Sequence, residues 1–236
     1  YLKATALFTL GREDESITAF SRAIKANPKS IDVWFALGST LAKHKKYKDS
    51  LKSLDKVLEL EPGHREALML KAKVLAGLEM PGDAIAIYDK ILEAEPGDAK
   101  VLFAKAVLLA DMDGLEEAIY CYDKVLEYDP EDADALFEKS LLLADLDQPL
   151  DAVENLRKFL SLEPENPDGW FELGNSLYTL KEYEEALLAF DKAIDFDPAF
   201  EEAKANRKVC AKKLEKAEKK KAKKKKAKKK KPARRK

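Results

Sequence analysis

Two histidines and two cysteines are all that this 236-residue chain offers to soft metals or to nucleophilic catalysis. His44 and His64 stand in or beside turns, with no Cys, Ser or carboxylate at a spacing that builds a triad or a metal site, so both read as solvated turn residues. Cys121 and Cys210 lie far apart without CxxC spacing; neither a disulfide framework nor a zinc site is indicated, and a reducing cytoplasm is the natural compartment. The nine glycines are isolated, and neither GxxxxGK[ST] nor GxGxxG occurs, which removes a phosphate-cradling loop. No apolar run approaches the roughly 18 residues of a membrane span. These absences predict no catalytic residue, metal, cofactor, small-molecule substrate or membrane contact. The chain opens at Tyr1 in mid-repeat, so an upstream signal, further repeats or a catalytic part of a larger enzyme stay open as alternatives.

Charge is nearly balanced overall, at −1, but not along the chain. Residues 212–236 hold 17 Lys or Arg against Glu215 and Glu218, a net of +15, and the 26 basic and 42 acidic residues of 1–211 leave a net of −16. An acidic body carries a basic tail.

Proline is also sparse, yet six of the ten prolines set a period. Pro28, Pro62, Pro96, Pro130, Pro164 and Pro198 are spaced by 34 residues, the mark of stacked supersecondary units. Counting position 1 three residues past each proline gives full units 31–64, 65–98, 99–132, 133–166 and 167–200, preceded by a partial unit 1–30. Apolar residues recur at helical spacing on both sides of a short turn, which predicts one helix over about positions 2 to 14 and a second over about 18 to 30. Proline ends each second helix. Ser30, Asp98, Asp132 and Asn166 stand where N-caps are needed. The carboxylate pairs Glu116–Glu117 and Glu184–Glu185 open second helices and suit the helix dipole there.

Small residues mark the helix crossings: Ala4, Gly38, Ala72, Ala106, Ser140 and Gly174 at position 8, and Ser16, Ser50, Ala84, Ala118, Ala152 and Ala186 at position 20. Large ones fill the gaps, with Trp34, Leu68, Leu102, Leu136 and Trp170 at position 4 and Phe20, Leu54, Tyr88, Tyr122, Leu156 and Phe190 at position 24. All are read as core. At position 7, Lys71, Lys105 and Lys139 replace an apolar residue; their stems can cover the core while the ammonium reaches water.

The pattern Trp-x2-Leu-Gly-x2-Leu/Tyr…Ala-x3-Phe…Pro, complete in Trp170, Leu173, Gly174, Leu177, Ala186, Phe190, Ala193 and Pro198, resembles the tetratricopeptide repeat family over residues 1–200. The resemblance implies an all-α fold: an α-solenoid of 34-residue helix-turn-helix repeats in a right-handed superhelix, with first helices lining the concave face. Residues 201–218, striped with Ala203, Cys210, Leu214 and Ala217, read as a capping helix. Residues 219–236 read as a frayed or disordered lysine-rich tail, because like charges one turn apart oppose helix.

An apolar column at position 5 is the most informative constellation. Tyr1, Phe35, Met69, Phe103, Phe137 and Phe171 recur at intervals of 34, and the resemblance places them on the groove floor. Ser39, Lys73, Val107, Leu141 and Asn175 at position 9 and Tyr178 at position 12 complete the expected partner-binding groove. The alternative is that these aromatics pack against neighbouring first helices. A sub-class of the family clamps the Glu-Glu-Val-Asp tails of chaperones with Lys and Asn, then Asn, then Lys and Arg on successive first helices. Asn175 and Asn206 match its two asparagines, but Phe171 stands where the first Lys belongs and no further repeat supplies the rest, which disfavours that ligand. The leading expectation is therefore a non-enzymatic scaffold for a partner peptide or helix. The other reading is an adaptor on nucleic acid or ribosomes, anchored without sequence preference by Lys219, Lys220, Lys223, Lys224, Lys228, Arg234 and Arg235. The tail resembles linker-histone tails in composition, and nothing aromatic is interleaved for base stacking.

Overall fold

The computed structural model describes residues 2–230, with side chains through Lys223. Among these residues there are thirteen helices and no strand: α1 (Leu2–Thr9), α2 (Glu13–Ala26), α3 (Ile31–Lys43), α4 (Tyr47–Leu60), α5 (Arg65–Ala76), α6 (Pro81–Ala94), α7 (Ala99–Asp111), α8 (Leu115–Tyr128), α9 (Ala133–Asp145), α10 (Pro149–Leu162), α11 (Pro167–Thr179), α12 (Tyr183–Phe196) and α13 (Glu201–Lys230). First helices begin at position 1 of each full unit and second helices at position 17 of all six. The helices group into two compact units that divide between Lys124 and Val125, inside α8. In the first unit α1 pairs with α2, α3 with α4 and α5 with α6, and each second helix packs on the next first helix. In the second, α9 pairs with α10, α11 with α12, and α13 closes over α12.

Two backbone devices make the turns. Within each unit the residue at position 15 is left-handed: Gly11, Lys45, Glu79, Asp113, Asp147 and Lys181 have φ between 55° and 73°. The N–H of position 16 donates to the carbonyl of the leucine at position 11, from Arg12 to Leu7 through Glu182 to Leu177, at 2.8 to 3.0 Å. The N–H of position 15 donates to the carbonyl of position 12 at 2.9 to 3.1 Å, which completes a Schellman cap. Between units the proline occupies the second place of a β-turn whose N–H donates three residues back, as from Ser30 to Asn27 and from Asn166 to Glu163. Asn27, Asp129 and Asp197 reinforce that turn by accepting the N–H two residues on, from Lys29, Glu131 and Ala199.

Every residue at positions 8, 20 and 24 is buried. Ser16 and Ser50 donate their hydroxyls across the crossing to the carbonyls of Ala4 and Gly38, both at 2.7 Å. Position 4 differs from expectation in two units. Leu68, Leu102 and Leu136 are buried, but Trp34 and Trp170 are only half-buried. Their indole N–H groups donate to the carbonyls of Pro28 at 2.9 Å and Pro164 at 2.8 Å, so one ring edge is drawn out to the inter-unit turn.

The caps behave as expected at Asp98, Asp132 and Asn166, whose side chains accept the N–H groups of Val101, Ala135 and Gly169. Ser30 makes no such bond. His64 takes the role in α5, its Nδ1 accepting the N–H of Ala67 at 3.3 Å.

The C-terminal helix differs most from expectation. Fraying is predicted from Lys219, but α13 runs unbroken to Lys230. Ala and Lys are strong helix formers, no glycine or proline interrupts residues 201–230, and Glu215 pairs with Lys219 one turn on. Ala203 and Cys210 are buried, Leu214 and Ala217 half-buried, and every residue from Glu218 to Lys223 is exposed.

Candidate functional site

The position-5 column lies half in the core. Phe35, Met69, Phe103, Phe137 and Phe171 are all half-buried. Two of the rings rest on their own unit, and two reach the residue that leads into the next first helix. Phe103 meets Tyr122 edge-on at 5.2 Å between centroids, and Phe137 meets Phe159 at 5.0 Å, so both lean on the second helix of their own unit. Phe171 lies 6.1 Å from Phe190 and 4.8 Å from Phe200 in the turn that follows. Phe35 stacks on His64 at 5.2 Å. His64 is thus no solvated turn residue: its side chain, 18% exposed, is held by the cap and the ring. His44 also departs from that reading, lying against Phe8 at 5.1 Å and Glu13 at 3.1 Å. Tyr1, the first member of the column, lies outside the described residues.

Around the column, Ser39, Leu141 and Asn175 are half-buried, whereas Lys73 and Val107 are exposed. Tyr178 is half-buried, its ring 5.5 Å from that of Tyr183.

In the second unit α9, α11 and α13 lie side by side, and position 6 adds polar groups next to the rings. Asn206 Nδ2 donates to Asn175 Oδ1 at 2.8 Å, and Asn175 Nδ2 donates to Glu172 Oε2 at 3.2 Å. Burial pushes the Glu172 carboxyl above its ordinary range; the Asn175 hydrogen bond opposes the shift, and the negative charges of Asp168 and Asp145 add to it. Burial also raises the Glu138 carboxyl, with Asp134 adding. Both carboxyls thus lie close to further acidic groups. The two asparagines of the clamp pattern are therefore brought together, but the Glu172 carboxyl bonded to Asn175 opposes a carboxylate tail there.

Glu138 and Glu172 did not stand out in the sequence because a carboxylate beside an aromatic column is indistinguishable from a solvated helix face. The position-7 cations are a second feature missed. Instead of reaching water alone, Lys71 Nζ pairs with Asp55 at 2.6 Å and Lys105 Nζ with Asp89 at 2.5 Å, and Arg207 pairs with Asp191. Each links a first helix to the preceding second helix, and the recurrent 16-residue spacing was the available signal.

Of the tail lysines, Lys219, Lys220 and Lys223 are exposed on α13, and Lys224 and Lys228 continue that helix. Arg234 and Arg235 lie outside the described residues. No helix among the described residues is long and apolar enough to cross a membrane.

A model described as "Tetratricopeptide repeat" matches residues 1–50 and 138–199, and one for the "Psidin, N-terminal TPR repeats region" matches residues 40–142. The chain belongs to the tetratricopeptide repeat family. Among curated proteins it is similar to the peroxisomal targeting signal receptors of Komagataella phaffii, at 38% identity over 58 residues, and Yarrowia lipolytica, at 34% over 61 residues. Those matches cover 25% and 26% of this tetratricopeptide repeat chain, which spans about a tenth of the length of either receptor. Among solved structures, YrrB, described as a TPR protein with an unusual peptide-binding site, superposes with a TM-score of 0.68 at 23% identity over 80% of this chain and 98% of its own. MamA superposes with a TM-score of 0.66 at 19% identity, over 71% and 92%. At these identities the likeness carries the tetratricopeptide fold alone.

Proposed function

We propose that this chain is a non-enzymatic scaffold, working in the reducing cytoplasm, that holds an extended peptide segment of a partner protein on its first-helix face. The observation that carries the reading is the hydrogen-bonded row Glu172, Asn175 and Asn206 set beside half-buried Phe171 and Tyr178. Primary amides offer a donor and an acceptor together, the pair that a peptide backbone presents, and partly exposed rings supply apolar contact for its side chains. The peptide-binding site reported for YrrB and the short match to receptors of targeting signals agree with a peptide ligand. A peptide-display selection on the full chain tests it: enriched sequences should lose affinity for Asn175→Ala and for Phe137→Ser, with helical circular dichroism retained. Equal binding by both folded variants would exclude this face.

A second reading is favoured by the exposed Lys219, Lys220 and Lys223 on a helix that has left the repeat layer. Contact with phosphate polyanions through them would be insensitive to sequence and fall steeply with salt. Full-length binding to an arbitrary duplex that is lost on ending the chain at Glu218 would support it.

A further inference from the structure

We infer that the lysine-rich end of α13 of one copy docks across the first-helix face of α9 and α11 of a second copy. The inference rests on the reading of that face as a docking surface and supplies one occupant for it.

Charge complementarity selects the occupant. On α9 and α11 the half-buried rings of Phe137 and Phe171 are each followed in the chain by a half-buried carboxylate, Glu138 within electrostatic reach of Asp134 and Glu172 within reach of Asp168 and Asp145. Two of these carboxyls sit in partly desolvated surroundings close to further carboxylates, so an incoming ammonium group offsets the mutual repulsion and favours their charged form. The chain itself holds one segment of the matching chemistry, residues 212–236 with their net of +15. A lysine has the right form, because its stem covers the rings while its head reaches the carboxylates.

Geometry assigns the occupant to another copy. After Ala217 α13 carries only exposed residues through Lys223, while the helix continues to Lys230. Those 13 residues extend about 20 Å at a rise of about 1.5 Å each. An intact helix cannot double back onto the layer it is leaving, so the lysines of one copy meet the acidic face of a neighbour.

Sedimentation of the full chain tests this. In about 0.01 M salt, where the Debye length is about 30 Å, the chain should associate with rising concentration, and in about 1 M salt, where it is about 3 Å, it should be monomeric. Glu138→Gln with Glu172→Gln should weaken the low-salt association by about tenfold or more. Glu116→Gln with Glu117→Gln, which removes two charges on α8, should leave it within about twofold. A synthetic peptide of residues 219–236 should dissolve the complex. A full chain that stays monomeric at low salt overturns the inference, as does association indifferent to the Glu138 and Glu172 changes in a folded protein. So does a chain that retards duplex DNA yet never self-associates, which would give the tail to phosphate. Display-selected peptides that still bind the face in any of these cases would leave the docking surface standing and remove only the homotypic occupant.

Discussion

Replacing Gly174 by Ala puts a methyl group against one ring. An added Cβ would lie 2.6 Å from Phe190 Cε1, 2.7 Å from Cδ1 and 3.0 Å from Cζ. Phe190 is 1% exposed and cannot swing away. Alanine in a helix interior is worth about 1 kcal/mol over glycine, whereas overpacking costs about 1–3 kcal/mol. The net loss should be about 0–2 kcal/mol by the same figures. The chain shows that the crossing can widen: Ala4 faces Phe20 and Ala72 faces Tyr88, all four buried, so part of the clash relaxes as α11 and α12 move apart. Gly82 isolates the propensity gain, since nothing lies within 4 Å of its added Cβ; Gly82→Ala should gain about 0.5–1 kcal/mol. Urea denaturation read by tryptophan fluorescence separates the two units, because Trp170 reports on one and Trp34 on the other; Gly174→Ala is measured in Trp34→Phe and Gly82→Ala in Trp170→Phe. In a Phe190→Leu background the sign at Gly174 should reverse, with a coupling of about 1 kcal/mol or more. An upward midpoint shift for Gly174→Ala matching that of Gly82→Ala, with Phe190 intact, would refute close packing at this crossing.

Glu79→Gly should raise the unfolding free energy by about 0.5–1 kcal/mol in the same denaturation experiment, because an L-residue is strained at φ 61° and the Schellman cap needs no side chain there. Asp98→Ala, which removes both a cap and the partner of Arg65, should cost about 1–2 kcal/mol, whereas Ser30→Ala should change stability by less than about 0.5 kcal/mol since its hydroxyl caps nothing. Glu172→Gln should stabilise the fold at pH 7. The folded-state carboxyl titrates above its unfolded value, so its contribution is full below the unfolded value of about 4.3 and is lost as pH rises through the folded value. Thermal melts of the two proteins should differ at pH 7 and converge below about pH 4.

The crossings were legible because each constrains two columns at once: a small residue at position 8, such as Gly174, is only explained by a large one at position 24, such as Phe190. The inter-helix turns were legible as places but not as conformations, since five of the six left-handed residues are Lys, Glu or Asp and carry no glycine signal. Trp170 reads as core by its size; that its N–H donates to the Pro164 carbonyl depends on the fold of the turn and leaves no mark in the sequence. His64 is misread for the opposite reason, because a polar residue in a turn gives no hint that the ring of Phe35 covers it. The extent of α13 turned on whether like-charge repulsion or intrinsic propensity wins in a Lys and Ala run, a competition of small terms that a pattern does not resolve. On the first-helix face, the ring column shows as a repeat, but Glu138, Glu172 and Asn206 share position 6 with alanine and leucine in other units and form no column.

Cys121 and Cys210 are each enclosed, 3% and 0% exposed, and burial raises both thiols above their ordinary range. Little thiolate exists on either sulfur at neutral pH, so an alkylating reagent must wait for the surrounding helices to part. One thiol belongs to each compact unit. Their two alkylation rates are therefore two clocks, each timing how often the helices around its own sulfur breathe open under native conditions.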